Sequence, residues 1–113
     1  VVGFALATVV DGQGFLREID VAESHGRRGI GNQLVDAVIA WSRRLGHTSV
    51  GLTTFRDIPW NEQWYHRLGF RFVPDDERGP QLRAIVEREQ LEGLTRRTVM
   101  RLALPGPRSE ASR

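Results

Sequence analysis

His25-Gly26-Arg27-Arg28-Gly29-Ile30-Gly31-Asn32-Gln33-Leu34 joins an apolar, strand-like segment to an amphipathic helical pattern, and its reading decides the fold. The first N–H groups of a helix have no intrahelical acceptor, and the aligned peptide dipoles leave partial positive charge at that end. A glycine turn entering a helix is therefore a cradle for phosphate, and Arg27 and Arg28 bring full charges to it. Gly29 and Gly31 suit backbone at positive φ or a ligand passing close to the main chain, while Gly26 loosens the entry to the turn. Ordinary strand-to-helix turns share such glycine spacing, so the surrounding elements carry the argument.

Upstream, residues 1–10 are nearly all apolar and β-compatible, Asp11-Gly12-Gln13-Gly14 supplies turn residues, and Phe15 to Val21 resumes as a strand. This predicts a β-hairpin. Strict alternation in the second strand puts Leu16, Glu18 and Asp20 on one face and Phe15, Arg17, Ile19 and Val21 on the other, so two carboxylates point the same way. Downstream, Leu34, Val35, Val38, Ile39, Trp41 and Leu45 recur at helical spacing, which predicts a helix from about Gly31 to Leu45 with Gly46 at its stop. Ser49 to Phe55 reads as a strand, and strand, crossover helix and strand make a right-handed βαβ unit. Pro59 opens a short aromatic helix, Trp60 to Leu68, closed by Gly69. Phe70 to Val73 is a further strand. Pro80 opens a polar helix with Leu82, Ile85 and Val86 on one side, Gly93 ends it, and Thr98 to Leu104 is the last strand. The order ββαβαβαβ is an α/β (α+β) fold built on one mixed sheet, without internal repeat.

A chain of 113 residues makes one domain with a modest core, so any second substrate wall must come from a partner or from further sequence. The absence of cysteine excludes disulfides, thiolate metal sites and a cysteine nucleophile, and fits a reducing, cytoplasmic setting. No apolar run approaches the roughly 20 residues that span a bilayer, and no signal-peptide pattern is present, so a soluble protein is expected. The formal net charge of +2 is too small to argue for nucleic acid. Because Val1-Val2 lies inside a strand-like run and no methionine precedes it, a preceding segment is expected. Pro105-Gly106-Pro107 ends the fold over residues 1–104, and residues 108–113 complete a polar tail, 105–113, expected to be disordered.

Taken together, strand Phe15 to Val21, turn His25 to Gly31, strand Val50 to Phe55 and Tyr65-His66-Arg67-Leu68-Gly69-Phe70 resemble the GNAT superfamily of acyl-CoA-dependent N-acyltransferases. Thr53 to Asn61 followed by Tyr65, with Arg97-x-Val99-Met100, is similar to a bacterial subgroup of small acetyltransferases. The resemblance covers roughly residues 1–104 and implies the acyl-CoA N-acyltransferase fold lacking its N-terminal strand and helices. It implies an N-acetyltransferase that uses acetyl-CoA as cosubstrate, needs no metal, and acts on a small-molecule amine or protein amino group. Backbone N–H groups of the turn Gly26, Arg27, Arg28, Gly29, Ile30, Gly31 and Asn32 would hold the pyrophosphate. Main-chain groups of Ile19 and Val21 would pair with the pantetheine arm as an added strand, and a backbone N–H such as that of Ile19 would face the oxyanion. The family's Gln or Arg at the first motif position is Gly26 here. The Asn that many members carry seven residues before the tyrosine is replaced by Ile58, with Asn61 four residues ahead as the cofactor-binding candidate.

Acyl transfer to an amine needs a neutral amine, stabilised tetrahedral charge and a proton for the departing thiolate. The resemblance makes Tyr65 the general acid, the alternative being a core tyrosine that anchors its helix. The resemblance also implies a carboxylate base on this strand, which makes Glu18 the candidate and Asp20 on the same face the fallback, and nearby carboxylates can raise one another's pKa; both could instead be solvent-facing or paired with Arg17 or other arginines. With no cysteine, direct attack in a ternary complex is expected. His25 is a weaker phosphate contact, and His47 and His66 show no metal-ligand spacing. Phe55, Trp60, Trp64 and Phe70 are core residues of which one or two could wall an acceptor site. A non-catalytic CoA-binding or interaction module is the alternative from another class. A P-loop is disfavoured because no Lys-Ser or Lys-Thr follows Gly31. A homodimer would cover an open sheet edge.

Overall fold

In the computed structural model the described residues are 3–21, 29–56, 59–94 and 96–104. They form β1 (Gly3–Val10), β2 (Gln13–Val21), α1 (Ile30–Arg44), β3 (Ser49–Phe55), α2 (Pro59–Arg67), β4 (Arg71–Phe72), α3 (Pro80–Leu91) and β5 (Arg97–Ala103), with a short 3₁₀ turn at Asp75–Glu77. The sheet runs β1-β2-β3-β5-β4. Only β2 and β3 are parallel, as the crossover through α1 requires; the other neighbours are antiparallel. This is the acyl-CoA N-acyltransferase arrangement of one mixed sheet and three helices expected from the sequence.

The hairpin turn is tighter than the sequence suggests. Asp11 and Gly12 alone form it, at φ 52° and 74°, and Gln13 already pairs with Val10. Positive φ at both central residues matches the twist of the flanking strands. The Asp11 carboxylate also reaches α3, accepting hydrogen bonds from the N–H groups of Gln81 (2.8 Å) and Leu82 (3.0 Å), so the first turn of that helix is capped from the hairpin.

The strict alternation expected for β2 fails. Leu6 pairs with Glu18 and Ala7 with Leu16, which leaves Arg17 as an extra residue in a β-bulge. A one-residue slip exchanges the faces beyond it. Leu16 and Ile19 consequently share one core, with Val35 and Val38 of α1, Leu52 of β3, Tyr65 of α2, Phe70 and Met100. Glu18 and Asp20 still share a face, but it is the opposite one, with Phe15, which packs with Val10, Val73, Val99 and Leu82 under α3. Each fully buried Leu, Val or Phe in these two layers contributes about 1.5–3 kcal/mol. The strand expected over Phe70 to Val73 is confined to Arg71 and Phe72, because Phe70 and Val73 turn into the two cores. The tail from Pro105 lies outside the described residues.

Candidate functional site

Parallel pairing of β2 with β3 lasts only from Gly14↔Val50 to Leu16↔Leu52. The bulge at Arg17 follows at once, and a bulge bends and overtwists its strand. From there the two strands diverge, and a cavity of about 260 Å³ opens between them, lined by Leu16 to Ile19, Leu52 to Phe55, Asn61, Tyr65 and Arg97. On the β3 side, residues 17–21 of β2 have no strand neighbour among the described residues. An edge of unpaired N–H and C=O groups accepts an extended ligand as an added strand.

Gly29 sits at φ 75°, ψ 11° and starts α1, with Gln33 N–H bonded to its carbonyl at 3.1 Å. An added Cβ on Gly29 would meet no described residue within 4 Å. No side-chain cap bond and no acidic residue occupies the first turn. Among the described residues no side chain neutralises the N–H groups of the first turn or the positive end of the helix dipole, which fits an anionic group such as a pyrophosphate. Gly31 carries a packing constraint besides the one its spacing suggests. It is helical, and its missing side chain makes room for the Trp64 ring, which an added Cβ would approach to 3.2 Å. Trp64 Nε1 donates to Asn32 Oδ1 at 2.9 Å, so this tryptophan fixes the start of α1 to α2 and uses the Asn32 side chain to do so. Ile30 is half-buried at the same terminus. His25, Gly26, Arg27 and Arg28 lie outside the described residues.

Tyr65 and Asn61, one helical turn apart on α2, both line the cavity. The Tyr65 ring is buried between Trp64 (centroids 4.7 Å apart) and Phe70 (5.6 Å, edge to face). Burial pushes the phenol pKa from 10.0 up to about 12, against a smaller downward pull from the Arg97 guanidinium. Among the described residues its hydroxyl has no hydrogen-bond partner. Glu18 is exposed at the cavity rim, whereas Asp20, also exposed, lies further along β2 and does not line it. Of the four aromatic candidates, Phe55 lines the cavity, Phe70 is core and Trp64 joins the helices. The Trp60 side chain is outside the described part.

Sequence reasoning missed the floor of the cavity. Arg97 Nη2 donates to Thr53 Oγ1 at 2.7 Å and lies 3.4 Å from Glu89 Oε2, which accepts from Thr53 Oγ1 at 3.0 Å. The Arg97 guanidinium carbon also stands 4.5 Å from the centre of the Phe55 ring. One signal was present. Glu89 continues the stripe Leu82, Ile85, Val86 at helical spacing, and a carboxylate on a buried stripe needs a cation.

The sequence matches the acetyltransferase (GNAT) family over residues 1–70. A GNAT-family acetyltransferase from Staphylococcus aureus has the same fold, with a TM-score of 0.74 at 17% identity over 93% of this chain and 61% of that one. A Mycobacterium tuberculosis protein solved in complex with CoA gives 0.74 at 21% identity over 93% of this chain and 69% of that one. The N-acetylglutamate synthase of Neisseria gonorrhoeae, solved with coenzyme A and N-acetyl-glutamate, gives 0.70 at 16% identity over 89% of this chain and 22% of that one. The chain therefore spans under two thirds of the staphylococcal protein and less than a quarter of the gonococcal one.

Proposed function

The chain belongs to the GNAT acetyltransferase family, and from that premise we propose that it transfers an acetyl group from acetyl-CoA to a primary amine by direct attack in a ternary complex. The observation that carries this reading is the cavity between the diverging ends of β2 and β3, where Glu18, Ile19, Asn61 and Tyr65 meet. When bound, acetyl-CoA supplies the thioester: the amine nitrogen forms the new C–N bond, the C–S bond breaks, the amine loses a proton and coenzyme A leaves as its thiol.

In this reading the α1 terminus with Gly29, Ile30, Gly31 and Asn32, together with Gly26, Arg27 and Arg28, binds the pyrophosphate through backbone N–H groups and charge. Main-chain groups of Ile19 and Val21 hold the pantetheine arm in register, and the Ile19 N–H stabilises the oxyanion. Asn61 adds a polar contact from α2. Glu18, at the rim, removes the amine proton directly or through water.

Magnitudes decide what Tyr65 does. An ordinary thiol has a pKa near 8.5, so completing a proton transfer from a phenol at about 12 is uphill by about 5 kcal/mol. A hydrogen bond to an anionic acceptor contributes about 1.5–3 kcal/mol without that cost. Tyr65 therefore acts first as a neutral donor that holds the departing sulfur, and the Arg97 charge narrows the gap for the proton that follows.

Isothermal titration of the chain with acetyl-CoA and with CoA tests the reading. Binding that is lost in an Arg27→Glu/Arg28→Glu variant is the expected result. Absence of binding by the folded wild-type chain overturns it, and binding without acetylation of any amine would favour a CoA-binding module.

A further inference from the structure

A second cavity, of about 440 Å³, lies on the α3 face of the sheet, and its charge is one-sided. Among the described residues Arg56, Arg78, Arg96 and Arg97 line it with one carboxylate, Asp75, while Glu89 pairs with Arg97 from behind. Asp75 is already engaged: its Oδ1 lies 2.7 Å from Arg78 Nη1. Arg78 is engaged as well, with Nε and Nη2 both donating to the Val73 carbonyl at 3.1 and 3.0 Å. One guanidinium group retains its full capacity. The exposed Arg56 side chain has no partner among the described residues, whereas Arg97 is paired with Glu89 and its Nε is buried. A guanidinium in a cavity wall without a carboxylate partner has donors to offer an incoming acceptor, and Arg56 is the one so placed. Apolar wall is supplied by Phe72, Val86 and Val99.

Position gives this cavity its meaning. Arg97 lines both it and the cleft that holds Tyr65. The α1 terminus and Tyr65 belong to the other side of the sheet, so a ligand seated under α3 approaches the cleft from the face the cosubstrate leaves free. We propose that the cavity binds the carboxylate of the acceptor, which makes the substrate class an apolar amino acid, its amine directed past Arg97 toward the cleft. The assignment of the ligand as acceptor rests on the acetyltransferase reading above. A planar guanidinium matches a carboxylate in two parallel hydrogen bonds, whereas a polyamine or aminoglycoside would bring like charge to the same arginines. A volume of 440 Å³ lies within the range of small-molecule sites.

The test uses N-acetylleucine and N-acetylleucine amide, which share shape and lack an ionisable amine, titrated into the chain with and without saturating CoA. The acid should bind at least about tenfold more tightly than the amide, a difference of about 1.4 kcal/mol. Arg56→Ala should shrink that preference about fivefold or more, while CoA affinity stays at its wild-type value. Equal affinity for acid and amide, failure of the folded chain to bind the acid, or a preference that survives Arg56→Ala overturns the proposal. CoA titration keeps the two readings apart. Preference for the acid without CoA binding leaves the anion site standing and removes acetyl transfer, whereas CoA binding without acid preference does the reverse.

Discussion

Replacing Tyr65 by Phe removes one hydroxyl and leaves the ring that packs against Trp64 and Phe70. No partner among the described residues is stranded, so folding stability at neutral pH should change by less than about 0.5 kcal/mol. The hydroxyl's contribution to the leaving sulfur is a hydrogen bond to an anion, about 1.5–3 kcal/mol, or roughly 10- to 150-fold in kcat. Acetyl-CoA affinity should stay within about twofold, because the bond forms only as the sulfur becomes charged. Release of free CoA thiol measures turnover, and a chain without cysteine adds no background. The same variant has a signature in stability. With the phenol pKa at 10.0 unfolded and about 12 folded, the native state binds the extra proton between those values. That contribution is complete below pH 10 and is lost as pH rises toward 12, about 1.4 kcal/mol per unit. Wild type should therefore lose about 2–3 kcal/mol more than Tyr65→Phe in urea melts across that window. A variant with wild-type kcat refutes the role in the reaction, and parallel stability curves from pH 10 to 12 refute the raised pKa.

The remaining predictions concern the frame of the site. Asp11→Ala takes the cap from α3 and should lower stability by about 1–2 kcal/mol in urea denaturation, with Asp11→Asn recovering part of the loss. Gly29→Ala meets no atom of the described residues but must hold a left-handed backbone, so it should cost about 1–2 kcal/mol by thermal melt; unchanged stability would mean that the turn is not held at positive φ. Glu89→Ala leaves the mostly buried Arg97 without its carboxylate and should cost about 3 kcal/mol, the low end for a broken buried pair because both side chains keep 17% exposure; a loss under about 0.5 kcal/mol would show the pair to be solvated.

Much of this arrangement was legible because the relevant signals are local. Asp11-Gly12 encodes its turn, the apolar spacing of Val35, Val38 and Ile39 encodes α1, and glycine at position 29 takes the left-handed conformation the turn needs. The faces of β2 were not legible. Arg17 is bulged without a glycine or proline to mark it, and the slip depends on how β1 and α1 seat Ala5, Ala7, Leu16 and Ile19 together. The packing demand on Gly31 was not legible because the ring it makes room for, Trp64, lies 33 positions away. Such pairings are fixed by tertiary packing, and no window along the chain contains them.

The Arg97–Glu89 pair makes the same point from energetics. Desolvating two charged groups costs several kcal/mol, and apolar replacements of similar volume are often as stable or more so. Both members retain a buried polar atom without a partner, Arg97 Nε and Glu89 Oε1, so hydrogen bonding has not recovered the full cost within the described residues. A small domain with one thin α3 layer would gain more from leucine at position 89, which already continues the stripe of Leu82, Ile85 and Val86. What the pair supplies instead is a guanidinium that Glu89 fixes at the seam between two cavities, close enough to lower the Tyr65 pKa and lining the cavity proposed for the carboxylate. If that is its purpose, a Glu89→Leu/Arg97→Leu double variant should keep or gain stability relative to wild type while losing both turnover and discrimination between N-acetylleucine and its amide. A double variant that folds as well and retains both would show the pair to be structural only.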